Sequence, residues 1–400
     1  MKRIFTAIIA TLSLAASAQW TNQNSGITQP INGVFFVDNN TGWVCANQGL
    51  IRYTVNGGTN WAAQLSSTTW NLNDIYFPTT MTGYSCGLNG TVIKTSNGGG
   101  LWTTLATPNT NELLGLFFLD ANTGICVGRS GMIIGTIDGG TSWGQMTSGT
   151  TQDLYSVWFT SSTTGYACGR NGIFLKTTNS GFTWATQTTG TTDTLQYVHF
   201  NSAGIGYVSG QGGHVRRTDG NGAFTSVNVA SLKSMNGAHF VTDSSGWVVG
   251  DSGRIFMTQD SGASWVLQTS LTALRIFDVH FPTDTLGYCV GVNGIIRKLV
   301  MNTSWPGWGE NNALKIQLKA WPNPASGVMN ISYTLSSACN VNITVIDLLG
   351  KETNLGMNIK SHPGVNTIPL NFTQKGFPKG AYFIRIESGK SVSYAKVIYN

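Results

Sequence analysis

Charge is scarce in this sequence. Only 17 acidic and 23 basic residues occur among 400, and the stretch from Gln19 to Trp305 holds a single glutamate, Glu112. Over that stretch twelve Lys and Arg face thirteen Asp and Glu, whereas from Pro306 onward nine face four. The formal charge of +6 therefore belongs to the C-terminal segment and the first residues. The large central region lacks the basic field that phosphate binding requires, which argues against a nucleic-acid partner. Long hydrophobic runs are also missing. Beyond the first eighteen residues no stretch approaches the roughly 20 apolar residues of a membrane helix, so no integral membrane segment is expected.

Those eighteen residues have the layout of a secretory signal: Lys2 and Arg3, an apolar run from Ile4 to Leu14, then Ala16, Ser17 and Ala18. Cleavage is expected between Ala18 and Gln19. The mature chain is rich in Gly, Thr, Ser and Asn, a composition of short strands and tight turns, and predicts an all-β class.

Three ladders of residues share one register. They are Phe36, Phe77, Phe118, Phe159, Phe200, Phe240 and Phe281; Gly42, Gly83, Gly124, Gly165, Gly206, Gly246 and Gly287; and Gly49, Gly90, Gly131, Gly172, Gly213, Gly253 and Gly294. Each ladder steps by 41 residues, once by 40, which defines seven units. Four short strands per unit make a propeller blade, whose two faces are covered only when a ring closes. The ladder phenylalanines read as packing between blades, and the glycines as turns needing positive φ. The expected fold is a seven-bladed β-propeller followed by a small β-sandwich. Its divisions are a signal peptide at 1–18, the propeller at 19–305, a linker at 306–316 and the sandwich at 317–400.

A fourth marker precedes the last strand of several units. Examples are Asn56-Gly-Gly-Thr-Asn-Trp61, Asp138-Gly-Gly-Thr-Ser-Trp143 and Asp260-Ser-Gly-Ala-Ser-Trp265. These turns resemble the Asp-box of sialidase-type propellers. Trp20 lies 41 residues before Trp61, and Trp20-Thr-Asn-Gln23 repeats the form of Trp61-Ala-Ala-Gln64. It reads as an orphan fourth strand that completes the last blade. Trp305, 40 residues after Trp265, competes for the same place; register and the matching Gln favour Trp20.

With motifs such as Gly90-Thr-Val-Ile-Lys-Thr-Ser-Asn-Gly-Gly-Gly-Leu-Trp102, the region from Gln19 to about Trp305 resembles the propeller family of the photosystem II stability and assembly factor. The C-terminal segment resembles the sorting domain of the type IX secretion system. That likeness rests on Trp321 with Pro322, Asn323 and Pro324, then Val345-Ile-Asp347-Leu-Leu-Gly350-Lys351, then Gly380-Ala-Tyr382-Phe-Ile-Arg-Ile386, then Lys396-Val-Ile. It implies export through the type IX machinery and removal of the domain by a sortase. The product would be secreted, or held on the outer-membrane surface of a Gram-negative cell, anchored there to lipopolysaccharide. An ordinary accessory sandwich is the alternative.

A sialidase needs an arginine cluster and a Tyr activated by Glu, and the single Glu112 speaks against that chemistry. Asp38, Asp120, Asp243 and Asp284 recur at turn positions and read as turn caps rather than a catalytic pair. No catalytic residue and no cofactor are expected. His199, His239 and His280 precede the ladder Phe in three successive blades, where the others have Phe35, Tyr76, Phe117 and Trp158. They form either a metal site or part of an aromatic ring, and the ring is the simpler reading. Cys45, Cys86, Cys126, Cys168 and Cys289 occupy second strands, with Cys339 in the sandwich. They read as free, buried side chains, because equivalent positions in different blades lie too far apart to bridge.

Lys94, Lys176, Arg217 and Lys298 share a third-strand position, and Arg129 and Arg170 share a turn position. They make a candidate ligand patch or, alternatively, a solvated face. The leading functional expectation is an exported module binding an extracellular protein or glycan. A divergent glycoside hydrolase and a structural surface component are the alternatives.

Overall fold

Each unit folds into four antiparallel strands, as in Ile31–Phe36, Gly42–Ala46, Ile51–Thr54 and Ala62–Gln64 of blade 1. The computed structural model describes residues 20–229, 231–301, 317–321, 325–335, 338–347, 351–362, 364–388 and 391–399. The signal segment, its cleavage site at Ala18 and Gln19, the linker and Trp305 lie outside the described residues. Two compact units divide between Met301 and Asn302. Among the described residues no helix is long and apolar enough to cross a membrane.

The first unit consists of seven four-stranded sheets. Its ladder phenylalanines pack between blades, as expected from their spacing. Phe77 stacks on Trp43 of the preceding blade with centroids 3.6 Å apart, Phe118 on Tyr84 at 3.7 Å and Phe240 on Tyr207 at 3.5 Å. The same rings meet the tryptophan of their own blade edge-on, Phe77 against Trp102 at 5.8 Å and Phe240 against Trp265 at 6.0 Å. Phe77 and Phe240 thus stack on one neighbour and meet another edge-on, the edge-on contact being the one the ring quadrupole favours.

The two glycine ladders have different causes, which corrects the single one inferred from sequence. Gly49 and its equivalents do have positive φ, 70° at Gly49 itself. Gly42 does not; a Cβ there would stand 2.5 Å from the Phe36 ring, which lies flat on the glycine. This ladder is glycine because a phenylalanine occupies the space of its side chain.

The turn before the last strand is held by three side-chain bonds. In blade 3, Thr136 Oγ1 donates to Asp138 Oδ1 and accepts from Gly140 N, while Asp138 Oδ1 accepts from Ser142 N. The same bonds recur around Asn56, Asn97, Asn179 and Asp260. Asp38 and Asp120 cap the turn after the first strand, each accepting two backbone N–H groups.

Trp20–Gln23 pairs antiparallel with Ile296–Val300 and supplies the fourth strand of blade 7. Trp20 meets Phe281 at 6.0 Å and 89°, the geometry of the other blade tryptophans. The ring is therefore closed by the N-terminal strand. The five propeller cysteines are buried and free.

The second unit is a sandwich of a three-stranded and a four-stranded antiparallel sheet. Its core is built from alternate residues such as Met329, Ile331, Tyr333, Val341, Ile343, Val345, Ile384 and Ile386. Two strands were not legible in the sequence, Gln317–Trp321 and Glu352–Ser361.

Candidate functional site

The inner strands converge on the axis, and their side chains decide what the channel can hold. Near their C-terminal ends, seven aromatic rings touch in sequence around it. Phe35 meets Tyr76 at 4.7 Å, Tyr76 meets Phe117 at 5.4 Å and Phe117 meets Trp158 at 5.0 Å. Trp158 meets His199 at 4.3 Å, His199 meets His239 at 4.9 Å, His239 meets His280 at 4.8 Å, and His280 returns to Phe35 at 4.6 Å. The three histidines are thus members of an aromatic iris. No grouping of three or more His, Cys, Asp or Glu able to hold a metal occurs among the described residues. Burial holds His199 down to about 4 and His280 to about 3, so both are neutral at ordinary pH.

Two residues earlier on each inner strand lies a second ring: Gly33, Asp74, Gly115, Ser156, Tyr197, Gly237 and Asp278. The sequence reading missed it. Its register is that of the ladders, but the residue type changes from blade to blade, and a strand bulge precedes both aspartates. Asp74 Oδ1 accepts from Ile75 N at 2.8 Å and Oδ2 from Leu116 N of the next blade at 3.0 Å. Asp278 does the same with Val279 N at 2.8 Å and Val34 N at 3.0 Å. Together with Ser156, Tyr197 and part of the iris, these carboxyls line a cavity of about 200 Å³. Burial raises Asp74 to about 8, helped by the charge of Asp278, and burial raises Asp278 to about 7.

The third-strand lysines reach across to the neighbouring blade. Lys94 Nζ donates to Gly139 O at 2.8 Å, Lys176 Nζ to Gly220 O at 2.8 Å and Lys298 Nζ to Gly57 O at 2.6 Å. Each lysine lies over a tyrosine of its own blade and reaches the turn of the next. The tyrosine hydroxyl donates to the same carbonyl, Tyr288 to Gly57 O at 2.9 Å for example. Arg217 takes the equivalent place beside Tyr207. Lys94, Lys176 and Lys298 thus tie neighbouring blades, whereas Arg217 is exposed. Replacing Lys298 by methionine is expected to cost about 1 kcal/mol of stability, since Gly57 O keeps one donor, and thermal unfolding of the mature chain will measure it. Arg129 pairs with Glu112 at 3.1 Å and Asp153 at 2.8 Å, whereas Arg170 is exposed.

The loops between blades 1 and 2 frame an open groove of about 830 Å³. Its walls carry Gln48, Gln64 and the run Ser66-Ser-Thr-Thr69. Leu65 is 89% exposed and Trp70 46% exposed. The turn hydroxyls are tied inward, with Ser66 Oγ on Thr68 O and Ser67 Oγ on Trp102 O. The rim is thereby rigid, with a broad indole face left to solvent. Trp70 was not legible as a site from spacing alone, although it breaks a repeat position held by Gln29, Asn111 and Gln152.

In the C-terminal unit, Asp347 Oδ1 accepts from Lys351 N and closes the hairpin around Gly350, itself outside the described residues with Pro322, Asn323 and Pro324. Gly380 and Tyr382 begin a central strand, Tyr382 donating to Pro378 O, and Lys396 pairs through its backbone with Phe383.

Two family models match the chain. That of the photosynthesis system II assembly factor YCF48 covers residues 100–189 and 183–300, and that of the secretion system C-terminal sorting domain covers 319–400. Similar solved structures include YCF48 bound to a D1 peptide, 17% identical over 71% of this chain and 97% of that chain, with a TM-score of 0.62. YCF48 from Cyanidioschyzon merolae is 17% identical over 71% and 99%, with a TM-score of 0.61. The GH74 enzyme of Niastella koreensis is 13% identical over 95% of this chain and 74% of that chain, with a TM-score of 0.60. At these identities the likeness is one of fold. No curated protein matches the sequence.

Proposed function

We propose, from the premise that the chain belongs to the photosynthesis system II assembly factor YCF48 family and ends in a secretion system C-terminal sorting domain, that its propeller is a non-catalytic binding module for an extracellular protein or glycan. The sorting domain marks the protein for export by the type IX secretion system, to the cell surface or the medium. Whether the delivered propeller is held on lipopolysaccharide or released belongs to the proposal.

The observation that carries the binding reading is Trp70, a half-exposed indole on a rim of immobilised Ser and Thr side chains. A fixed aromatic face beside amides and hydroxyls suits both a sugar ring and an extended peptide, and it loses little entropy on binding. A relative of this fold is described with a bound peptide, which supports the same use of the scaffold.

The acidic groups favour a non-catalytic reading. Asp38, Asp120 and Asp260 are committed to turn bonds that hold them below the ordinary carboxyl range, unsuited to a general acid. Asp74 and Asp278, which stand above it, lie in the channel, away from the groove. The GH74 likeness keeps hydrolysis as the second reading.

Screening the mature chain on glycan and peptide arrays is expected to give saturable binding without turnover. Trp70→Ala should weaken that binding about tenfold while leaving thermal stability unchanged. Turnover of a chromogenic glycoside, abolished by an Asp substitution, would reverse the assignment.

A further inference from the structure

The channel cavity is lined by two carboxyl groups, and its walls share no residue with the groove. Its shape comes from the second ring. A Cβ on Gly33 would approach Asp74 Cα at 3.2 Å, on Gly115 the Tyr155 carbonyl at 2.7 Å, and on Gly237 Asp278 Cα at 3.1 Å. A side chain is thus excluded at Gly115 and crowded at Gly33 and Gly237, and the polar side chains of the ring that line the cavity are Asp74, Ser156, Tyr197 and Asp278.

Ser156 Oγ is used by Val198 N at 3.2 Å. Each carboxylate oxygen of the two aspartates accepts one neutral N–H, and each keeps a lone pair. Neither carboxyl has a cationic partner among the described residues. His280, buried in the cavity wall, has an Nδ1 without a hydrogen-bond partner. Tyr197 is close enough to both aspartates for their charges to act on its hydroxyl.

These groups lack a donor with positive charge. We propose that the cavity is a receptor for one primary ammonium group, held between the carboxylates of Asp74 and Asp278 with the aromatic iris beneath it. Three N–H donors match the two carboxylates and a third acceptor, the Tyr197 oxygen. Tyr76 and Trp158 also line the cavity, and aromatic rings attract a cation. About 200 Å³ admits the head group and a few methylenes but no sugar or folded peptide. The ammonium can come from a free small amine or from the lysine side chain of a partner.

The test is calorimetric titration of the mature chain, in amine-free buffer at constant ionic strength, with n-butylammonium, Nα-acetyl-lysine amide, tetramethylammonium and sodium chlorides. Single-site binding of the first or second, at least about tenfold tighter than tetramethylammonium, is expected, because tetramethylammonium has no N–H to donate. Binding of the lysine derivative identifies a partner's side chain as the source, and binding of butylammonium alone a free amine. The pair Asp74→Asn with Asp278→Asn should lose at least about tenfold in affinity. Tyr197→Phe, which keeps the ring, should lose about threefold and serves if the double variant does not fold. Heats for both amines indistinguishable from sodium chloride, or unchanged affinity in the variants, would overturn the proposal.

Discussion

Replacing Trp20 by alanine is expected to lower the unfolding free energy of the propeller by about 3–5 kcal/mol, the usual range for removing a fully buried tryptophan. The Trp20 side chain is completely buried, and it gives blade 7 the edge-on partner of Phe281 that five other blades draw from the tryptophan after their own turn. The strand it begins is held by more than the ladder. Thr21 Oγ1 donates to Lys298 O, Arg297 donates to Asn22 Oδ1 at 2.6 Å, and Ser25 Oγ donates to Gly294 O at 2.7 Å. No disulfide ties the ring, since the five propeller cysteines are free. Its closure is therefore wholly non-covalent. Urea unfolding of the mature chain measures the loss. A variant as stable as the parent would mean that another segment, such as that around Trp305, takes over the fourth strand.

The second large effect concerns pH. The ordinary carboxyl of Asp74 titrates near 3.8, and in the folded channel it is raised to about 8. The folded state therefore holds this proton more tightly than the unfolded chain does. Its contribution to stability is fully present below 3.8 and is lost as pH rises toward 8. The iris histidines act in the opposite sense. Their folded values lie below 6.5, so their contribution is present above 6.5 and lost as pH falls toward 4. Above pH 6.5 the histidines no longer contribute, and the buried thiols, which titrate higher, act alike in the parent and the variant. Between pH 6.5 and about 9, the parent protein should lose about 2 kcal/mol relative to Asp74→Asn. Denaturant unfolding of both proteins at the two pH values, in amine-free buffer, checks the difference. Parallel stabilities would show that Asp74 is already ionised in the folded protein.

The blade architecture was legible because a propeller repeats its packing, so one phenylalanine per 41 residues reports seven contacts at once. The latch was legible for the same reason, since Trp20 stands in register with Trp61 and carries the same Gln. What could not be read was direction. Nothing in the spacing of Lys94, Lys176 and Lys298 says whether an ammonium points to solvent or to the next blade's carbonyl. Gly42 and Gly49 look alike in sequence, although one accommodates a ring and the other a backbone angle. Asp74 and Asp278 escaped notice because the other blades carry Gly33, Gly115, Ser156, Tyr197 and Gly237 at the same position, so no single residue type marks it. Only the convergence of seven strands turns the pair into neighbours.

The pairing of Trp20–Gln23 with Ile296–Val300 joins segments about 275 residues apart. A chain interrupted in any blade leaves the first strand without its mate and the last sheet with an open edge. Completion of the ring thus acts as a test of length: only a chain translated and exported through residue 300 can hide Trp20, and every shorter product carries an exposed indole for proteases to find.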